Sequence, residues 1–131
     1  MGDKLSFQDM GGNELVFIRQ RLLSWGLTYE LQRAGGPTAV VKKSLWTFFK
    51  DRFTVDVAAD GPTPDDLEVR GDFWDHEYEF ARGGQVVAAV SKRWFAWTDT
   101  YGVDVADGED DVLVLACTVV VDLSIAKERR D

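Results

Sequence analysis

The stretch DDVLVLACTVVVDLSI, residues 110–125, decides the fold of this 131-residue chain. From Val112 to Val121 every residue except Thr118 is apolar, so no polar face is left to meet water. We therefore expect this segment to be buried on all sides, with Leu115 and Val119 inaccessible to solvent.

The flanks of this stretch favour a helix, although its many β-branched residues would also suit a strand. Glu109, Asp110 and Asp111 stand at its start, and Lys127, Arg129 and Arg130 follow its end, which matches the charge preferences of the two ends of a helix. A membrane span needs roughly 20 apolar residues, and Asp122 interrupts the run too early. The pattern predicts a central helix over 111–125 and no transmembrane span.

Composition predicts one domain over residues 1–131, with 45% hydrophobic residues and enough length to bury a core. The single cysteine, Cys117, lies inside the apolar run and is expected to be a core residue. No apolar signal region stands at the N-terminus, so we expect a cytoplasmic protein, either free or peripheral to a membrane.

The net charge of −8 is unevenly distributed along the chain. Residues 1–52 carry eight basic and five acidic side chains, whereas residues 53–111 carry four basic and fifteen acidic ones. Because phosphate binding needs a dominant basic surface, this balance argues against nucleic acid as a partner.

The chain before the helix predicts a meander of hairpins, because short alternating runs flank glycine-rich turns such as 11–13, 35–37 and 82–84. The predicted strands are 4–10, 14–21, 28–34, 38–45, 52–58, 67–73, 77–81, 85–92 and 98–105.

These hairpins repeat about every 24 residues. Leu5, Tyr29, Phe53, Tyr78 and Tyr101 begin equivalent strands, with spacings of 24, 24, 25 and 23 residues. A helix of roughly 16 residues is about 24 Å long, and strands of about eight tilted residues stand about 20 Å tall, so the helix suits the bore of a barrel. The sequence predicts an all-β fold with one central helix, an antiparallel β-barrel of hairpin repeats wrapped around it.

The motifs GDKLSFQDMGGNEL, FIRQRLLSWG, VKKSLWTFFKDRFTVDV, GDFWDHEYEF and VSKRWFAWTDTYGVDVADGEDDVLVLA resemble the prokaryotic branch of the LURP-one-related family. The resemblance implies a tubby C-terminal-like barrel, shared with phospholipid scramblases, of twelve strands around a hydrophobic helix. This chain matches from the second repeat onward, so we expect its barrel to lack the first strands. Unpaired edges would then favour a homo-oligomer.

A basic and aromatic run is the strongest surface signal. Cations beside aromatic rings suit the interface of an anionic membrane, or an acidic protein partner. The alternative is that the rings plug the barrel while the lysines are solvated. The predicted binding residues are Lys42, Lys43, Trp46, Lys50 and Arg52, and residues 92–97 repeat the pattern.

The acidic residues around His76 are the candidates for catalysis. A small hydrolase or lyase using the carboxylates of Asp72, Asp75, Glu77 and Glu79 is one alternative, and solvated turn residues are the other. One histidine cannot form a multi-histidine zinc site, and the sequence shows no nucleophile motif or phosphate loop. We therefore expect a non-enzymatic binding or scaffolding domain without cofactor or metal.

The acidic loop 107–111 has two interpretations. It holds four carboxylates in five residues, which could bind calcium, but it lacks the spacing of an EF-hand. We expect it to cap the central helix instead.

Overall fold

The computed structural model describes residues 4–23, 26–44, 52–91 and 102–130, which form one sheet and one helix. The nine strands are β1 (Lys4–Gln8), β2 (Glu14–Leu23), β3 (Gly26–Arg33), β4 (Ala39–Ser44), β5 (Arg52–Asp56), β6 (Leu67–Asp72), β7 (Glu77–Arg82), β8 (Gln85–Ser91) and β9 (Gly102–Val105). The helix α1 covers Asp111–Arg130.

Each strand pairs antiparallel with the next along the chain, in the order β1 to β9. Where the structure describes them, the predicted strands are confirmed to within a few residues; residues 45, 92 and 98–101 of the predicted strands lie outside the described residues. Of the residues that mark the predicted repeat, Tyr29, Phe53 and Tyr78 lie on β3, β5 and β7 and are buried, whereas Leu5 on β1 is only partly buried. Tyr101 lies outside the described residues.

The core lies between the concave face of the sheet and α1. Alternation directs every second side chain of a strand towards the helix. On β5, for example, Phe53 and Val55 are buried, whereas Thr54 between them is exposed. Phe73 packs its ring 5.1 Å from both Phe53 and Tyr78, measured between ring centroids. Cys117 is fully buried, and burial raises the pKa of its thiol to about 12, so it is a core residue as predicted.

The N-terminus of α1 is capped by Asp110, whose Oδ1 accepts a hydrogen bond of 3.1 Å from the Leu113 amide. Arg33 on β3 donates to the same carboxylate at 3.0 Å, and Arg82 on β7 donates to Glu109 at 2.7 Å. The guanidinium of Arg33 and the helix amide outweigh partial burial and lower the pKa of Asp110. Loop 107–111 therefore caps the helix, as predicted.

The barrel is open. Within the described residues β1 and β9, the first and last strands, do not pair with each other. Consequently α1 is not buried on all sides, and this prediction from its apolar sequence was wrong. Leu115 is 38% exposed and Val119 is only partly buried, whereas Cys117 and Val121 on the opposite side of the helix are fully buried.

Candidate functional site

The predicted basic and aromatic residues do not form one face. Lys42 and Arg52 both lie on the convex, outer face of neighbouring strands, and both are exposed. Lys43 pairs with buried Phe53, so alternation places it on the core side of the sheet, partly buried. Trp46 and Lys50 lie outside the described residues, as does the related run 92–97.

Cross-strand ion pairs neutralise much of the outer face. Arg52 pairs with Glu68 at 3.2 Å, Arg21 with Glu30 at 2.9 Å, and Arg70 with Glu79 at 3.0 Å. Exposed pairs of this kind add little to stability, typically about 0–1 kcal/mol each. They do leave a surface of mixed charge where the sequence suggested a basic one.

The carboxylates of residues 72–79 have separate partners. Asp72 accepts from the backbone amide of Asp75 in the turn, Glu79 pairs with Arg70, and Glu77 accepts a hydrogen bond of 2.9 Å from Ser91. A cavity of about 440 Å³ does exist on the outer face, but it is lined by Arg52, Thr54, Asp66, Leu67, Glu68, Ala81, Gly83 and Gly84. None of the 72–79 carboxylates lines it.

A polar cluster inside the barrel was missed from the sequence. His76 Nδ1 lies 3.2 Å from Asp122 Oδ1, and the Tyr78 hydroxyl donates to the same oxygen at 3.1 Å. Burial raises the pKa of Asp122, while the positive charge and hydrogen bond of His76 and the Tyr78 hydroxyl oppose that rise. Burial and the Asp122 carboxylate raise the pKa of Tyr78 above its usual range.

The backbone of His76 supports this contact, because its φ of 54° places the turn in the left-handed region. The sequence contained one signal for the cluster: Asp122 is the lone carboxylate of the apolar stretch 112–126, and such a group needs a partner. The partner is 46 residues away, and strand alternation alone does not identify it.

A second acidic group, Asp56, Asp60 and Asp66, was also not anticipated. Their carboxylate oxygens lie within 4.8 Å of one another at the β5–β6 loop. Asp56 accepts from the amides of Asp60 and Gly61, and Asp66 accepts from both the amide and the hydroxyl of Thr63. Through these hydrogen bonds the carboxylates of Asp56 and Asp66 hold the backbone of the loop in place.

The opening between β1 and β9 exposes an apolar stripe of α1, and we call this region the open seam. Its stripe comprises Val112, Leu115, Val119 and Leu123, three or four residues apart and thus on one helix face. The inward side chains of the two edge strands flank it and are only partly buried: Leu5 and Phe7 on β1, Val103 and Val105 on β9.

Comparison with known proteins decides the family. The family model described as LURP-one-related matches residues 1–122. The chain belongs to the LURP-one-related family. It is 32% identical over 123 residues to a Bacillus subtilis protein named "Uncharacterized protein YxjI", covering 94% of this chain and 71% of that protein. No solved structure matches.

The family assignment confirms the resemblance read from the motifs, while the likeness to tubby and scramblase folds stays a prediction. The name of the Bacillus relative assigns no activity, so the function of this family member has to be inferred from geometry. Among the described residues, no helix has both the length and the apolarity to cross a membrane.

The raised pKa of Asp122 leads to a testable pH dependence. A carboxyl group whose pKa is higher in the folded than in the unfolded chain stabilises the fold at low pH and loses that contribution as the pH rises through the folded pKa. We expect the free energy of unfolding of Asp122→Asn to increase relative to that of wild type as the pH rises from below 3.8 through the raised pKa, because only wild type loses this contribution. Urea denaturation across this pH range measures it.

The exposed Asp75→Asn variant is the control, because the side chain of Asp75 lies on the surface of the turn. A difference between wild type and Asp122→Asn that does not change with pH would contradict the raised pKa.

Proposed function

We propose that this protein is a non-enzymatic binding domain that binds an extended segment of a protein partner in the open seam. The observation that carries this proposal is the exposure of Leu115, 38% accessible in the middle of a helix whose other faces are buried. An apolar stripe beside unpaired strand edges is the surface that an added β strand covers.

Backbone geometry supports strand addition. β1 is an edge strand in which exposed Lys4, Ser6 and Gln8 alternate with partly buried Leu5 and Phe7. Its outer edge presents amide and carbonyl groups that no strand of the described sheet pairs. An added strand with alternating apolar residues would satisfy these groups and place its apolar side chains on the helix stripe.

The alternative functions have weaker support. The 72–79 carboxylates are engaged in separate contacts away from the cavity, which gives the hydrolase or lyase alternative no assembled site. For anionic lipid, Lys42 and Arg52 are the predicted cations on a shared outer face, and two cations contribute at most about 2 kcal/mol before screening.

Peptide binding tests the proposal. A fluorescent peptide of about eight residues that alternates valine and threonine should bind, whereas an isomer with its valines in one block should not. On binding, hydrogen exchange should slow at the amides of β1 and β9. Fluorescence anisotropy and exchange mass spectrometry measure these effects.

Leu115→Asp should weaken the binding by about tenfold or more, because it places a charge on the apolar stripe. Val86→Asp is the matched control, since Val86 is a similarly exposed aliphatic residue, 45% accessible, on the β7–β8 hairpin. Equal binding of both peptides, or binding only to anionic vesicles with loss in Lys42→Glu, would contradict the proposal.

A further inference from the structure

We infer that the open seam binds a partner segment in one direction only, and that this segment carries basic residues in its N-terminal half and acidic residues in its C-terminal half. This inference rests on the proposed function of the seam and names the chemistry of the partner. It is carried by the exposed charges at the two ends of the seam, which are opposite in sign.

The direction of the segment follows from the sheet. Every strand pairs antiparallel with the next in the order β1 to β9, so β1 and β9 run in the same direction. A single segment between them can therefore be antiparallel to both, which continues the pattern of the sheet and is the more stable kind of pairing. The N-terminus of such a segment lies where β1 and β9 end, and its C-terminus lies where they begin.

The end of the seam where β1 and β9 finish is acidic. Its exposed acidic residues are Asp9 and Glu14 around the β1–β2 turn, Asp104 near the end of β9, Asp107 in the following turn and Asp111 at the start of α1. Arg33 reaches this end of the structure but is paired with Asp110. Arg82 is likewise paired with Glu109. Within the described part of the chain, no basic side chain forms an ion pair with the exposed acidic residues of this end.

The opposite end of the seam is basic. Lys4, the first residue of β1, stands opposite Arg19 of β2, and both side chains are exposed. Glu30 of β3 stands on the other side of Arg19, but it is ion-paired with Arg21 at 2.9 Å. Lys4 and Arg19 therefore leave a positive charge that no carboxylate of the described residues neutralises.

The length of β1 keeps the two kinds of charge apart. Lys4 and Gln8 are its first and last residues, and Gln8 stands opposite Glu14. Four residue steps of a strand span about 13 Å. This distance exceeds the screening length of about 8 Å at physiological ionic strength. The acidic and basic ends of the seam therefore act on different halves of a bound segment.

Alternation separates the apolar contacts of the segment from its charged ones. Side chains that point inward pack on the stripe of Leu115 and Val119, and those that point outward lie beside exposed side chains of the edge strands, such as Lys4 and Asp104. Opposite charges on neighbouring strands are stabilising and like charges are destabilising. The partner is thus an extended segment with an apolar residue at every second position and basic, then acidic, residues between them.

Two isomeric peptides test the inference. Each has about eight residues, is capped at both ends and has valine at every second position; one carries its lysines before its glutamates, and the other carries its glutamates first. Because the two peptides have equal composition and charge, the net charge of −8 on the protein acts equally on both. We expect the lysine-first peptide to bind about tenfold more tightly, and the difference to shrink as salt is added. Fluorescence anisotropy measures both affinities.

A nitroxide label reports the direction of binding. Attached to the N-terminus of the lysine-first peptide, it should broaden the NMR signals of the Gly11 and Gly108 amides more than that of the Leu5 amide. Gly11 and Gly108 lie in the turns at the acidic end, whereas Leu5 lies near the start of β1.

Reversing charge at the acidic end should abolish the preference. The variant carries Asp104→Lys and Asp107→Lys, both exposed, and leaves the helix cap Asp110 intact. The matched control carries Asp65→Lys and Asp75→Lys, which change the net charge equally at exposed positions in the two connections that flank β6, in the middle of the sheet. The control should keep the preference, and circular dichroism verifies that both variants are folded.

Three results would overturn the inference: equal affinities for the two isomers, tighter binding of the glutamate-first peptide, or an unchanged preference in the variant at the acidic end. Hydrogen exchange separates this failure from that of the proposed function. If both isomers bind equally and slow exchange at the amides of β1 and β9, the seam binds a segment without selecting its direction. If neither these isomers nor the valine–threonine peptide binds, the proposed function fails as well.

Discussion

Replacing Gly71 by alanine should lower the free energy of unfolding by about 3 kcal/mol or more, because the new side chain has no space and the backbone is strained. A Cβ at this position would lie 2.6 Å from the carbonyl oxygen of Glu77 and 2.7 Å from Cα of Tyr78, both backbone atoms of the paired strand. The φ of Gly71 is also +138°, a conformation that side chains rarely adopt. Relief requires β6 and β7 to separate, which would also move Tyr78 away from Asp122. Urea denaturation measures the loss.

Gly84→Ala is the matched control for this experiment. Gly84 also has a positive φ, of 84°, but no atom lies within 4 Å of its added Cβ. It should therefore lose only the conformational term, about 1 kcal/mol. Equal losses at the two glycines would show that the close approach of β6 and β7 is not rigid.

Val120→Asp should prevent folding, because it buries a carboxylate with nothing to compensate it. Val120 is fully buried, in the part of α1 that packs against the concave face of the sheet. Leu115→Asp, five residues earlier in the same helix, should leave the protein folded, since Leu115 is 38% exposed at the open seam. Circular dichroism and thermal melting of the two variants compare a buried with an exposed position of the helix.

This pair of variants also tests the openness of the barrel directly. If Leu115→Asp unfolds the protein as completely as Val120→Asp, the stripe is covered in solution and the seam is closed. If both variants fold, α1 is not the centre of the core. From the apolar sequence alone, both variants are expected to be equally unable to fold. A difference in stability between them therefore shows that the sheet covers Val120 and leaves Leu115 exposed.

The basic face shows where sequence reasoning could have gone further. Val41 is apolar on a strand with one buried face, so alternation already implied that Lys42 points outward and Lys43 inward. Treating the two lysines as one patch ignored this period. The neutralisation of Arg52 by Glu68 was beyond reach, because it depends on the register between β5 and β6 across a ten-residue loop.

The sequence by itself determined the local elements. Alternation along each strand, glycines at the turns and the hairpin repeat predicted the nine strands to within a few residues in the part of the chain that the structure describes. The charged flanks predicted α1 and its acidic cap. These features are local, because the alternation of a strand or a capping aspartate involves only a few consecutive residues.

Tertiary structure alone decided the open seam and the Asp122 cluster. Whether a barrel closes depends on where its first and last strands end in space, which sums the twist and register of every strand between them. The sequence of an apolar helix does not reveal whether the surrounding sheet covers all of its faces or leaves one of them exposed. His76, Tyr78 and Asp122 meet because the β6–β7 turn lies beside the second half of α1, a contact between segments more than forty residues apart.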